Sequence, residues 1–210
     1  MRSAEDVFPN RIVGVIRSGD SSAAFRACLA AIEGGVGSLE VTTGVPEWPD
    51  LVRGLRASTG RPVGAGTVLT VEHVLQAARA GAAFVVTPVV IPEVARAARE
   101  QDILCVMGAL TPTEIYQALQ VAKADVVKLF PIAAVGGPAY LKYLAGPMPD
   151  IPIWVSGGVE IDQVTDYLKL GVTAIGLTTA LFPPDAVARG EFDVIKRLAR
   201  EAASALAGVA

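Results

Sequence analysis

One lysine in this chain stands where a lysine is costly. The chain holds five. Lys142, Lys169 and Lys196 fall in helical stretches and Lys123 near a helix end, where a solvated charge is ordinary. Lys128 instead interrupts the apolar run Val126–Phe130. An amine buried there must be paired or put to use. It reads either as a nucleophile or as a snorkelling or ion-paired side chain. Glu40 interrupts a second apolar run, between Leu39 and Val41. It reads as a general acid/base beside the amine or as the amine's ion-pair partner. Arg17 closes the run VGVI, and its guanidinium fork suits a carboxylate or a phosphate; a surface arginine at a strand end is the plainer alternative. Ser156-Gly157-Gly158 resembles a phosphate grip, because glycines let backbone N–H groups approach anionic oxygens. A lone Gly-Gly is also an ordinary turn.

Composition removes competing chemistries. With 210 residues, 52% hydrophobic and 19% charged, the chain suits one compact domain, taken here as residues 1–210, and is too apolar for disorder. Eighteen basic against 21 acidic residues leave a net charge of −3, no footprint for nucleic acid. An anionic ligand must therefore be held locally. The single histidine, His73, cannot supply a His-rich metal site or a Ser-His-Asp triad, so no metal and no cofactor is expected. Cys28 and Cys105 lie far apart without CxxC spacing and read as reduced core thiols of a cytoplasmic protein. The start MRSAEDVFPN lacks a signal-peptide pattern. The apolar stretch Ala82–Ile91 falls short of the ~18–20 residues of a membrane span.

The elements that must position these groups form a series. Val/Ile-rich runs recur at Ile12–Ile16, Ser38–Thr42, Pro62–Ala65, Phe84–Thr87, Ile103–Met107, Val126–Phe130, Ile151–Val155 and Ala174–Leu177. Segments of helical period separate them, among them Ser21–Glu33, Val71–Arg79, Pro92–Glu100, Thr113–Val121 and Ile161–Leu170, with Asp193–Leu206 closing the chain and a short helix ahead of the first strand. Asp20, Thr70 and Thr111 sit as N-caps; Gly34, Gly60, Gly81 and Gly171 follow helical runs as stops. Near-continuous apolar strands imply parallel pairing with both faces covered. Eight of them alternating with helices predict an α/β fold, a single (β/α)₈ TIM barrel; an open doubly wound sheet is the alternative. In such a barrel the C-terminal strand ends carry function. They bear Arg17, Glu40, Thr67, Thr87-Pro88, Lys128, Ser156-Gly157-Gly158 and Thr178-Thr179.

LEVTTGVP, VGAGTVLT, FVVTP, LTPTEI, VVKLFP, SGGV and IGLTTALF occur in order along nearly the whole chain. Together they resemble the 2-keto-3-deoxy-6-phosphogluconate aldolases, a family that includes 2-keto-3-deoxy-6-phosphogalactonate and 4-hydroxy-2-oxoglutarate aldolases. The resemblance implies class I aldol cleavage of a phosphorylated keto acid on a (β/α)₈ barrel, usually a homotrimer. It makes Lys128 the Schiff-base lysine and Glu40 the catalytic glutamate. Thr67 and Pro88 are implied to position substrate, Ser156, Gly157, Gly158, Gly176, Thr178 and Thr179 to line the phosphate end, and Arg17 to bind substrate. The chain departs from the pattern at three places. Gly44 stands where some members carry a carboxylate-binding arginine, which leaves that duty to Arg17. Met107 replaces a common proline, and Ser156 the usual threonine. A hydroxyl at 156 is typical of phosphogluconate-type members, whereas the stretch Pro46–Pro49 is similar to a tryptophan-bearing loop of phosphogalactonate-type members. From the residues alone, a phosphosugar isomerase or epimerase using Glu40 as base, or a ligand-binding barrel with Lys128–Glu40 as a structural pair, remains an alternative.

Overall fold

The computed structural model of the chain describes residues 3–208. Its strands are β1 (Ile12–Ile16), β2 (Ser38–Thr42), β3 (Val63–Gly66), β4 (Phe84–Val86), β5 (Leu104–Ala109), β6 (Val126–Leu129), β7 (Ile153–Ser156) and β8 (Ala174–Leu177). The helices are α1 (Ala4–Val7), α2 (Ser21–Glu33), α3 (Trp48–Thr59), α4 (Val71–Ala80), α5 (Pro92–Glu100), α6 (Pro112–Tyr116), α7 (Pro138–Ala145), α8 (Val164–Lys169), α9 (Pro184–Arg189) and α10 (Phe192–Ser204). All strands pair in parallel, in chain order, and the circle closes where β1 meets β8 with Ile12 opposite Ile175. The fold is a (β/α)₈ barrel, and closure excludes the open sheet. No helix among the described residues is long and apolar enough to cross a membrane.

Local chemistry sets the helix starts. Asp20 accepts hydrogen bonds from the N–H groups of Ser22 and Ala23 at 2.8 and 3.0 Å. The Thr70 hydroxyl accepts from His73 N–H, and Thr111 with Glu114 forms a reciprocal capping box. Several expectations shift, three of them for reasons the packing shows. Gly34 ends α2 in an ordinary right-handed conformation, and the left-handed turn is made by Gly35, φ +109°. Gly34 lacks a side chain because α10 passes too close: a Cβ would lie 2.4 Å from that of Ala199. The helix expected over Thr113–Val121 is α6 followed by a π turn, Gln117–Val121, closed by Ala122 N–H donating to the Gln117 carbonyl. β7 starts at Ile153, two residues later than its apolar run, because Pro152 has no N–H and joins β6 only through its carbonyl, which accepts from Val127.

Both faces of the strands are buried, but they meet different partners. Ile16, Leu39, Val41, Val63, Val127 and Ile175 point outward into the layer shared with the helices. Val13, Val15, Phe84, Val106, Val126 and Trp154 point inward. The bottom of the interior is closed by the segment after α1: Phe8 lies edge-on to Phe84 at 5.1 Å and to Trp154 at 5.2 Å.

Candidate active site

The inward positions above that aromatic layer hold polar groups. Glu40 is inward on β2 and Lys128 inward on β6, across the barrel. Both are buried, at 1% and 6% exposure, and Lys128 Nζ lies 3.2 Å from Glu40 Oε2. The carboxylate's other oxygen, Oε1, is buried with no hydrogen-bond partner among the described residues. It fits only because residue 66 is glycine: a Cβ there would stand 1.9 Å from Oε1. On the opposite flank Gly108 pairs with Lys128 in register, and the missing Cβ of Gly108 is replaced by the Pro88 carbonyl, 2.4 Å from where it would sit. One amine and one carboxylate with a free oxygen can form an imine and move a proton beside it.

The remaining expected residues lie at or just after the C-terminal ends of other strands. Thr67 follows β3 half-buried in the left-handed conformation, φ +59°. That backbone costs a β-branched residue about 1–3 kcal/mol, and the Thr43 hydroxyl donating to the Thr67 carbonyl at 3.0 Å helps hold it. Pro88 is half-buried after β4. Ser156 ends β7, its hydroxyl donating to the Gly176 carbonyl at 3.2 Å. Gly157 and Gly158 follow with φ of +85° and +78°, a conformation that glycine adopts without strain. A Cβ at Gly158 would also lie 2.6 Å from that of Ala133. Gly176 faces inward beside Trp154, so its lack of a side chain has a packing cause. Thr178 is half-buried, its carbonyl accepting from Leu181 and Phe182, and Thr179 is exposed.

Arg17 is exposed, unlike the buried pair. It lies after β1, in a groove of ≈ 470 Å³ shared with Asp20 and with Pro184 and Val187 of α9. Among the described residues no carboxylate pairs with it. Position 44 is open, with nothing within 4 Å of a Cβ built there. Trp48 lies buried at the start of α3, its ring 6.3 Å from that of His73.

The model of the KDPG and KHG aldolase family (2-keto-3-deoxy-6-phosphogluconate and 4-hydroxy-2-oxoglutarate aldolases) matches residues 5–198. The chain belongs to this family. A Pseudomonas aeruginosa protein named 2-dehydro-3-deoxy-phosphogluconate aldolase is 38% identical over 177 residues, 82% of this chain and 79% of its own. An Escherichia coli 2-dehydro-3-deoxy-6-phosphogalactonate aldolase is 31% identical over 174 residues, 81% of this chain and 84% of its own. The crystal structure of a KDPG aldolase from Legionella pneumophila, with pyruvate captured at low pH as a covalent carbinolamine, is similar with a TM-score of 0.85 at 25% identity. That similarity covers 95% of this chain and 97% of the other. Within this aldolase barrel, the sequence reading missed Trp154 and Phe130, whose rings flank Lys128 Nζ. Nothing in the linear pattern shows which residue of β7 stands opposite Lys128; only the register does.

Proposed function

We propose that the chain is a class I aldolase that cleaves 2-keto-3-deoxy-6-phosphogluconate to pyruvate and glyceraldehyde 3-phosphate, with the whole barrel as its catalytic unit. The observation that carries this reading is the buried Lys128–Glu40 pair at 3.2 Å in a barrel of this family. The Lys128 amine, its excess proton passed to Glu40, adds to the C2 carbonyl. Glu40 gives that proton to the carbinolamine hydroxyl, which leaves as water, so that a cationic imine and the Glu40 carboxylate remain. Glu40, through Oε1, takes the proton of the C4 hydroxyl directly or through a water. The C3–C4 bond breaks, its electron pair moves into the imine as an enamine, and the aldehyde leaves. Glu40 returns a proton to C3, and water releases pyruvate and the free amine.

Thr67 and Pro88 border the keto acid, and the Gly157-Gly158 amides, with Ser156 and the β8 end at Gly176, Thr178 and Thr179, take the phosphate. Arg17 takes the carboxylate, supported by its exposed place in the groove after β1, where no carboxylate among the described residues is paired with it. No metal or cofactor enters these steps. The reading extends to a homotrimer in the cytoplasm. The two cysteines are free and buried; burial holds Cys28 far above the usual thiol range and pushes Cys105 up to about 12, with Asp125 adding to the burial effect. Borohydride reduction in the presence of pyruvate tests the central claim. A pyruvyl adduct mapped to Lys128 supports it; an adduct at Lys123, or none, overturns it. Assaying both phosphorylated epimers beside 4-hydroxy-2-oxoglutarate fixes the substrate, and sedimentation the trimer.

A further inference from the structure

Lys128 has a second set of neighbours besides Glu40. Its Nζ stands over the ring of Trp154, 5.4 Å from the centroid, and 5.8 Å from the centroid of Phe130. Register creates the first contact, because Trp154 is opposite Lys128 in the β6–β7 ladder. Strand period creates the second, because Phe130 is two residues on and so faces the same way. The indole is fully buried. Phe8 and Phe84 brace it from below at 5.2 and 5.7 Å, and Gly176 leaves room for it, since a Cβ there would lie 2.4 Å from Nε1. Among the described residues no group accepts a hydrogen bond from Nε1–H. A buried indole normally finds an acceptor for that group. The contact the indole makes with the amine is through its ring face.

We propose that Trp154 is a positioning residue whose ring face, together with that of Phe130, holds the Lys128 nitrogen and stabilises the positive charge it carries as an imine. The inference rests on the aldolase reading above. A cation within about 6 Å of an aromatic face is attracted to it, most strongly where water is excluded. The neutral carbinolamine gains less from the rings than the cationic imine does, so the rings favour the loss of water that links the two. They also do what Glu40 cannot. Once Glu40 has accepted the C4 hydroxyl proton it is neutral and no longer offsets the imine's charge. The rings do not titrate and keep their electrostatic contribution through bond cleavage.

The test compares Trp154→Phe, which keeps a face and removes the unpaired N–H, with Trp154→Leu, which removes the face. The readout is the pyruvate concentration giving half-maximal borohydride trapping. It should rise about 5- to 30-fold in Trp154→Leu and less than about threefold in Trp154→Phe. Equal losses in both, or no loss in Trp154→Leu, overturn the proposal. A second measurement stands if Trp154→Leu does not fold. In Trp48→Phe the one remaining indole is Trp154, and saturating pyruvate should change its emission; unchanged emission in a protein that traps pyruvate overturns the proposal. If the parent protein traps no pyruvate at all, the aldolase reading itself fails, a result distinct from either of these.

Discussion

The outward and inward faces of the eight strands are equally buried but built to opposite rules. Outward positions are mostly Ile, Val and Leu, with Ala65, Cys105, Met107 and Ala109 among them, packed into the helices, and the layer works by density. Inward positions pair missing side chains with large ones. Gly64 faces the Phe84 ring, Gly66 the Glu40 carboxylate, Gly108 the Pro88 backbone and Gly176 the Trp154 indole, each closer than 3.0 Å to where a Cβ would stand. The interior thus gives up four side chains to hold a carboxylate, two rings and the backbone after β4 in fixed places. Substitutions outward should cost stability and leave activity; substitutions inward should cost activity first.

Lys128→Arg gives the largest expected separation. It keeps a cation beside Glu40 but removes the usable nucleophile, so turnover should fall by about 10³-fold or more while thermal unfolding shows a folded protein. Residual turnover near the parent level would erase the inward rule. Arg17→Ala lies on the rim and should cost roughly 2–4 kcal/mol, about 30–1000-fold in kcat/KM. If Arg17 holds the carboxylate, phosphorylated and unphosphorylated keto acids suffer alike. A defect confined to phosphorylated substrates assigns it to the phosphate, a reading its groove against α9 leaves open.

Gly66→Ala sharpens the comparison within the interior. The added methyl displaces the flexible Glu40 carboxylate, so kcat should drop by about 10²-fold, with an unfolding cost of only about 1–3 kcal/mol. On the outward face, Ile175→Val should cost about 0.5–1.5 kcal/mol in denaturant unfolding and leave kcat at the parent value. The smallest effect belongs to the helical layer. Glu114 accepts from the N–H groups of Thr111 and Leu110 and from the Thr111 hydroxyl, which holds its carboxyl below the usual range. A depressed carboxyl adds stability above its unfolded value and loses it as pH falls through the folded one. Glu114→Gln should therefore lower the unfolding temperature slightly at neutral pH, and the gap should close on acidification; a gap independent of pH would refute the charge-assisted cap.

Much of this was legible in the chain. Apolar runs without alternation imply parallel strands, because such strands are covered twice. Asp20, Thr70 and Thr111 mark helix starts because capping is a contact between residues two or three apart. Lys128 and Glu40 stand out because an ionisable group in an apolar run is costly wherever it folds. Strand edges were less legible: the start of β7 depends on Pro152 meeting Val127 across the ladder.

Sequence alone thus determined the repeating architecture, the helix caps and the identity of the chemical groups, since each is a matter of local period or of a residue's own cost. Only the closed barrel decided their company. Glu40 and Lys128 are 88 residues apart and meet at 3.2 Å. Trp154 faces the amine through a register that one residue of slip would reverse. Gly66 and Gly176 are obligatory because of what arrives from other strands. Such contacts depend on shear and closure, which no stretch of neighbouring residues encodes.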